Sequence, residues 1–144
     1  MNKNLNKTEK LTVYKHNDMI KSIFKMTLIE KRILSLTIAK TNPKRKFDEE
    51  KVLNVDIDEY SSIYEVNAET AYKEIKNGVK KLLGQYMIIS DKSSEKASAQ
   101  VMIPWIYKAP FDDEKLTFGI RFHKDVALYL HNLALKNLSF SKYS

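Results

Sequence analysis

Residues 56–90 read DIDEYSSIYEVNAETAYKEIKNGVKKLLGQYMIIS. A helix is predicted to begin at Asn67, whose side chain can accept a hydrogen bond from a first-turn amide, and to end at Gly84. One side of this helix carries apolar residues at helical spacing: Ala71, Ile75, Val79 and Leu82. The other side carries cations and an amide: Lys73, Lys76, Asn77 and Lys80. Such a helix can be anchored on a core by one face and present the other to a partner.

The segments that flank this helix predict a helix-turn-helix followed by a β-wing. Asp58–Tyr64 is a short helix candidate, Glu65-Val66 a tight turn and Tyr86–Ile89 a strand, which pairs with a second strand at Ser98–Tyr107. A helix in a DNA groove presents cations and amides to it. The predicted DNA-binding residues are therefore Thr70, Lys73, Lys76, Asn77 and Lys80, with Lys92 and Lys96 on the wing. The alternative is that the basic face is only solvated.

The remaining patterns predict an α+β fold, a winged helix with an enlarged antiparallel sheet. Thr27 and Glu30 form a capping box for a helix that runs to Lys40. Its expected core-facing residues are Leu28, Ile29, Ile33, Leu34 and Ile38. The other predicted elements are strands at Leu11–Tyr14, Val52–Ile57 and Leu116–Phe122, a turn at Asp112–Lys115, and helices at Asp18–Phe24 and Lys124–Leu135.

Composition narrows the classes of function. The chain has 144 residues, enough for one domain, and its net charge of +7 favours an anionic partner such as nucleic acid. No run approaches the ~20 apolar residues that a membrane helix needs, and there is no cysteine. His16, His123 and His131 lack metal-ligand spacing, and none of the three glycines lies in a phosphate-binding loop. We therefore predict neither an enzyme nor a cofactor or metal site.

The strand at Ser98–Tyr107 predicts self-association. Its segment from Val101 to Tyr107 is apolar on both faces, whereas a strand with one solvated face alternates cleanly. Pro104 indicates a strand edge or a bulge, where another chain can pair. The predicted dimer interface is Val101, Met102, Ile103, Trp105 and Ile106. The alternative is a monomer in which the Lys124–Leu135 helix or the N-terminal strand covers the second face. The predicted core is Ile75, Val79, Leu82, Trp105, Phe118, Ile120 and Leu130.

The order of several short motifs resembles the iteron-binding plasmid replication initiators. Residues 13–20 (VYKHNDMI) and 28–34 (LIEKRIL) are similar to the opening of their N-terminal domain. Residues 71–76 (AYKEIK), with Leu82-Leu83, are similar to its helix-turn-helix. The match continues through Trp105-Ile106, Leu116–Phe122 and Tyr129-Leu130. Residues 140–143 (FSKY) resemble the segment that introduces a second winged helix in these proteins.

The resemblance implies a function and a division of the chain. Residues 1–10 are polar and basic and are predicted to be a flexible arm, and residues 11–136 the winged-helix domain. The resemblance adds that residues 137–144 would be the start of a linker to a second domain. Such initiators are bacterial and cytoplasmic. They bind double-stranded DNA at repeated sites in plasmid origins, and they repress their own gene as homodimers. Host replication proteins are further partners. Two alternatives stay open: a dimerisation module that binds DNA weakly, and a winged-helix transcriptional repressor.

Overall fold

A computed structural model describes residues 18–42, 44–91, 95–96 and 98–141, with side chains described up to Ala134. Five helices lie within these residues: α1 (18–24), α2 (Leu28–Lys40), α3 (Ile57–Tyr64), α4 (Ala68–Leu83) and α5 (Lys124–Ser141). Six strands lie there too: β1 (Leu53–Val55), β2 (Tyr86–Ser90), β3 (Gln100–Pro104), β4 (Ile106–Lys108), β5 (Phe111–Asp112) and β6 (Thr117–Phe122). The predicted arm at 1–10 and the predicted strand at Leu11–Tyr14 lie outside the described residues.

The strands form two antiparallel sheets. In the larger one, β6 is central: β1 pairs along one side of it, and β4 and β5 pair with it as well. The second sheet is the β2–β3 hairpin, which follows α4 directly. A helix-turn-helix (α3 and α4) followed by this hairpin is a winged helix, and β1, β4, β5 and β6 are its enlarged sheet. The predicted α+β winged-helix fold is confirmed.

Side chains at the helix starts set the boundaries. Asn67 Oδ1 accepts a hydrogen bond from the Thr70 amide at 2.7 Å, as predicted for the start of α4. Asp56 Oδ1 accepts from the Glu59 amide at 3.1 Å, which begins α3 at Ile57. The predicted strand Val52–Ile57 is therefore too long, because its last residue is the first of a capped helix.

The capping box at α2 differs from its predicted form. Thr27 Oγ1 accepts from the Glu30 amide at 3.3 Å, but the Glu30 side chain does not reach back to the cap amide. Instead, the Thr27 hydroxyl donates to Glu30 Oε1 at 2.8 Å, and Glu30 is fully buried. Leu28 is also wrong as a core residue, since it is 63% exposed in the first turn. Ile33 and Leu34 are buried as predicted.

The core joins the large sheet to α2, α4 and α5. All seven predicted core residues are buried: Ile75, Val79, Leu82, Trp105, Phe118, Ile120 and Leu130. α2 packs closely on α4 at Gly78, where a Cβ atom would lie 2.6 Å from Ile33 Cδ1 and 2.9 Å from Ile29 Cγ2. A larger side chain here would push the two helices apart, so this position holds α4 close to the domain.

The predicted strand Ser98–Tyr107 is two strands in different sheets. β3 ends at Pro104, and β4 begins at Ile106 and pairs with β6. Trp105 lies between them: its amide donates to the Gln85 carbonyl at 3.3 Å, and its carbonyl accepts from the His123 amide at 3.1 Å. Because the alternation of faces restarts at this break, Trp105 and Ile106 both point inward.

This break corrects the predicted dimer interface. Ile103, Trp105 and Ile106 are 4%, 1% and 4% exposed, so they belong to the core of the protomer and cannot meet a partner. Val101 and Met102 are 36% and 67% exposed. The apolar character of Val101–Tyr107 on both faces therefore has a simple cause: the segment serves two sheets, each with its own buried side.

The last helix is longer than predicted. α5 runs to Ser141 rather than ending at Leu135. Residues 142–144 lie outside the described part. Among the helices of the described residues, none is long and apolar enough to cross a bilayer.

Candidate nucleic-acid interface

The turn between α3 and α4 is fixed by its own backbone. Glu65 ends α3 in the left-handed region with φ of 55°. The Val66 amide donates to the Ser61 carbonyl at 3.2 Å, and the Ser61 hydroxyl donates back to the Val66 carbonyl. These bonds close the turn before Asn67 caps the next helix. The predicted turn at Glu65-Val66 is confirmed, and the direction in which α4 leaves α3 is fixed locally.

A polar cluster then holds three helices together. The Tyr60 hydroxyl of α3 donates to Glu74 Oε2 of α4 at 2.6 Å, and a guanidinium nitrogen of Arg32 from α2 lies 3.8 Å from the same oxygen. The Arg32 guanidinium also lies 4.3 Å from the centre of the Tyr64 ring. Burial, together with the hydrogen bond to Glu74, raises the pKa of Tyr60 to about 12. The Tyr60 phenol therefore stays protonated and donates to Glu74, and this bond ties α4 to α3.

The outer side of α4 carries the predicted DNA-binding residues. Lys73, Asn77 and Lys80 are exposed, and Thr70 is half-buried beside the N-cap. At ~100° per residue these side chains occupy neighbouring rows on the helix surface. Two exposed residues that sequence reasoning left out of the site share this surface: Lys81 adds a cation, and Glu69 adds an anion in the first turn. We call the surface formed by Glu69, Thr70, Lys73, Lys76, Asn77, Lys80 and Lys81 the basic face.

Lys76 differs from the other lysines of the basic face. Its ammonium lies 3.0 and 3.3 Å from the two carboxylate oxygens of Asp113, in the turn between β5 and β6. It also lies 4.7 Å from the centre of the Phe111 ring. The Lys76 side chain is only 26% exposed. The sequence predicted Lys76 as a phosphate contact, whereas the structure gives its ammonium an anionic partner from the same chain.

Asp113 is held by a second residue of α4. The Tyr72 hydroxyl donates to Asp113 Oδ1 at 2.5 Å. This hydrogen bond, followed by the bond from Lys76, lowers the pKa of Asp113 below its usual range. The pKa of Tyr72 is raised to about 12 by burial and by the same hydrogen bond. Asp113 is therefore ionised at neutral pH and remains a fixed negative charge at the edge of the basic face.

Of the two cations predicted on the wing, Lys96 lies within the described residues. Lys96 is exposed near the tip of the hairpin, next to the exposed Glu95. The Asp91 amide donates to the Ala99 carbonyl at 2.9 Å and closes the base of the tip. Lys92 lies outside the described residues. The described part of the tip therefore carries charges of both signs.

One face of the hairpin is apolar and exposed. Tyr86 is paired with Pro104 and Ile88 with Met102, so these four residues lie on the same side of β2 and β3. Tyr86, Ile88 and Met102 are 54%, 48% and 67% exposed. The opposite side of the hairpin is buried in the core through Met87, Ile89 and Ile103. We call the exposed side, Tyr86, Ile88, Met102 and Pro104, the hairpin face.

No arrangement for catalysis stands out in the described residues. Within them, no three His, Asp or Glu side chains are grouped so that they could hold a metal ion. His123 Nδ1 accepts a hydrogen bond from the Asp125 amide at 3.2 Å, which places it at the start of α5. The His131 ring packs edge-on against Phe47, with ring centres 5.8 Å apart. Both histidines therefore have structural roles here.

Comparison with known proteins gives the family. The family model described as initiator replication protein, WH1, matches residues 12–144. The chain belongs to this family. It is thus the first winged-helix domain of a replication initiator, as the sequence motifs indicated. No curated protein matches the chain in sequence.

Two solved structures share the WH1 fold. The WH1 domain of MSBI1.176, a replication protein isolated from a multiple sclerosis patient, is 21% identical, with a TM-score of 0.71 over 85% of this chain and 93% of that one. The Pi initiator protein, solved in complex with iteron DNA, is 15% identical, with a TM-score of 0.66 over 80% of this chain. This chain spans 48% of the Pi chain. At these identities the likeness concerns the fold.

Proposed function

We propose that this WH1 domain binds double-stranded DNA at the repeated sites of a plasmid origin, and that it does so through the basic face of α4. The observation that carries the proposal is the placement of Lys73, Asn77 and Lys80. They are exposed on the second helix of a helix-turn-helix whose back is fixed by the Arg32, Tyr60 and Glu74 cluster. The Pi initiator, which has the same fold, was solved with iteron DNA.

The chemistry of the basic face fits contacts to the DNA backbone. Contacts between lysine ammonium groups and phosphates read no bases, but they fix the position of a protein on the duplex. Asn77 is the residue of the face whose amide can pair with a base edge. Glu69 lies on the same surface and lowers its net positive charge. We therefore expect this domain to contribute positioning and affinity more than sequence specificity.

Substitution of single lysines tests this role. We expect Lys73→Ala and Lys80→Ala each to weaken binding to a DNA duplex, and to reduce the slope of log K against log salt by about 0.9 per lost phosphate contact. Fluorescence anisotropy with a labelled duplex at several salt concentrations measures both quantities. Lys46→Ala is the matched control, because Lys46 is exposed on the loop beside α5 and its removal changes the net charge equally. Equal slopes for all three variants and the wild type would contradict the proposal.

Self-association is a second activity, favoured by the hairpin face. Its four residues present an apolar surface on a two-stranded sheet, and Tyr86, Ile88 and Met102 are 54%, 48% and 67% exposed. The occupant we propose is a second copy of this chain, because the outer edge of β3 is unpaired in the described sheet. Such a dimer would provide the form that represses transcription of the initiator gene. The interface is then the hairpin face, and not the buried residues predicted from the sequence.

Membership of the family supports a proposal for the cellular location and partners of the protein. We propose that the protein acts in the cytoplasm of a bacterium that carries the plasmid, where host replication proteins are further partners. A dimerisation module with weak DNA binding is the alternative. It is supported by the acidic residues Glu69 and Asp113, which border the basic face. The salt slopes of the lysine variants separate the two functions, since a dimerisation module would show no dependence on Lys73 or Lys80.

A further inference from the structure

Asp113 already occupies the Lys76 ammonium, which a DNA phosphate would also seek. The carboxylate receives the Lys76 ammonium at 3.0 Å and the Tyr72 hydroxyl at 2.5 Å. The charge of Lys80 adds a smaller attraction that also lowers the pKa of Asp113. A carboxylate and a phosphate oxygen make the same kind of charge-assisted hydrogen bond to an ammonium. The two anions therefore compete for one cation of the basic face.

The turn that carries Asp113 is held in this position by several contacts. Asp112 Oδ1 accepts from the amides of Glu114 and Lys115 at 2.9 and 3.2 Å, and Leu116 closes the turn with φ of 52°. Phe111 stacks on Phe118, with ring centres 5.6 Å apart, and so ties the turn to the buried strand β6. The contacts of this turn therefore determine the position of the Asp113 side chain.

The pair is nevertheless open to exchange. The Asp113 side chain is 59% exposed, so water and salt screen its attraction to Lys76. A DNA phosphate that displaced Asp113 would therefore gain little net attraction from Lys76, because one anion would replace another. We propose that Asp113 is an internal competitor of DNA phosphate, which keeps Lys76 out of the DNA contact and limits the affinity of the basic face. This inference rests on the proposed DNA binding by α4.

Asp113→Asn is the variant that tests it. The amide oxygen can still accept the Tyr72 hydroxyl bond, so the turn is kept while the negative charge is lost. We expect tighter binding to a DNA duplex and a slope of log K against log salt steeper by about 0.9, since Lys76 gains a phosphate contact. At ~0.1 M salt, one added contact corresponds to roughly an eightfold increase in affinity. The readout is the same anisotropy titration, with thermal unfolding as the check on folding.

Two further variants separate this competition from a general effect of charge. Glu114→Gln removes a negative charge from the next residue of the same turn, where the side chain is exposed. It is expected to change affinity less than twofold. In a Lys76→Ala background, Asp113→Asn is expected to lose its effect, because the cation it releases is gone. Equal gains from Glu114→Gln and Asp113→Asn, or a gain that persists without Lys76, would overturn the proposal.

The outcome also distinguishes this inference from the proposed function. If Lys73→Ala weakens binding while Asp113→Asn leaves it unchanged, DNA binds the basic face and the competition by Asp113 is wrong. If neither variant changes binding, DNA binds elsewhere and both proposals are wrong. The joint prediction is weaker binding for Lys73→Ala and stronger binding for Asp113→Asn.

Discussion

Trp105→Ala is expected to reduce the free energy of unfolding by about 3–5 kcal/mol, the range for removal of a large buried aromatic side chain. Trp105 is 1% exposed and lies at the point where the chain leaves the hairpin for the large sheet. Its backbone bonds to Gln85 and His123 join the hairpin to the start of α5. Loss of the indole leaves a cavity that its neighbours cannot fill, because the position is fixed from both sides.

Denaturant unfolding followed by far-ultraviolet circular dichroism measures this change, since the variant lacks the single tryptophan that fluorescence would need. Phe24→Ala is the control, because Phe24 is also aromatic but is 75% exposed. It is expected to change stability by no more than about 0.5 kcal/mol. If Trp105→Ala changed stability as little as the control, the hairpin would not pack on the domain through this residue.

Met102→Glu is expected to weaken self-association by at least about a hundredfold while the domain stays folded. Met102 is 67% exposed at the centre of the hairpin face, opposite Ile88. In a dimer the new carboxylate would be buried against apolar side chains without a partner, which costs several kcal/mol. In the monomer it remains in water, so folding is unaffected.

Sedimentation velocity over a range of protein concentrations measures the association. Ile63→Glu is a matched control, because Ile63 is 53% exposed on α3 and does not belong to the hairpin face. It should leave association unchanged. Ile106→Glu should instead unfold the domain, since Ile106 is 4% exposed, although the sequence predicted it as an interface residue. A wild-type chain that stays monomeric at high concentration would show that the hairpin face is not a dimer interface.

The helix-turn-helix was predictable because its signals are local. Asn67 and Gly84 mark the ends of α4, and the apolar spacing of Ile75, Val79 and Leu82 identifies its buried side. Each of these signals acts within a few residues, so no knowledge of the tertiary structure is needed. The turn at Glu65-Val66 was also predicted, but the left-handed conformation of Glu65 was not, because glycine or asparagine is the usual residue at such a helix end.

The errors come from interactions between distant segments. Whether Ile106 points inward depends on pairing with Phe122 in another sheet, which the alternation of Ser98–Tyr107 does not encode. The pair between Lys76 and Asp113 joins residues 37 positions apart. The sequence showed Asp113 as part of a turn, and this is confirmed, but nothing local indicated which helix that turn would contact.

The central claim is that DNA contacts the basic face of α4. Chemical-shift mapping tests this claim most directly. A short DNA duplex is added at low salt to the isotope-labelled chain, and the backbone amide signals are followed. We expect the largest shifts at the exposed positions of α4, around Lys73, Asn77 and Lys80. Shifts confined to the hairpin face or to the loop around Lys46, with α4 unchanged, would contradict the account.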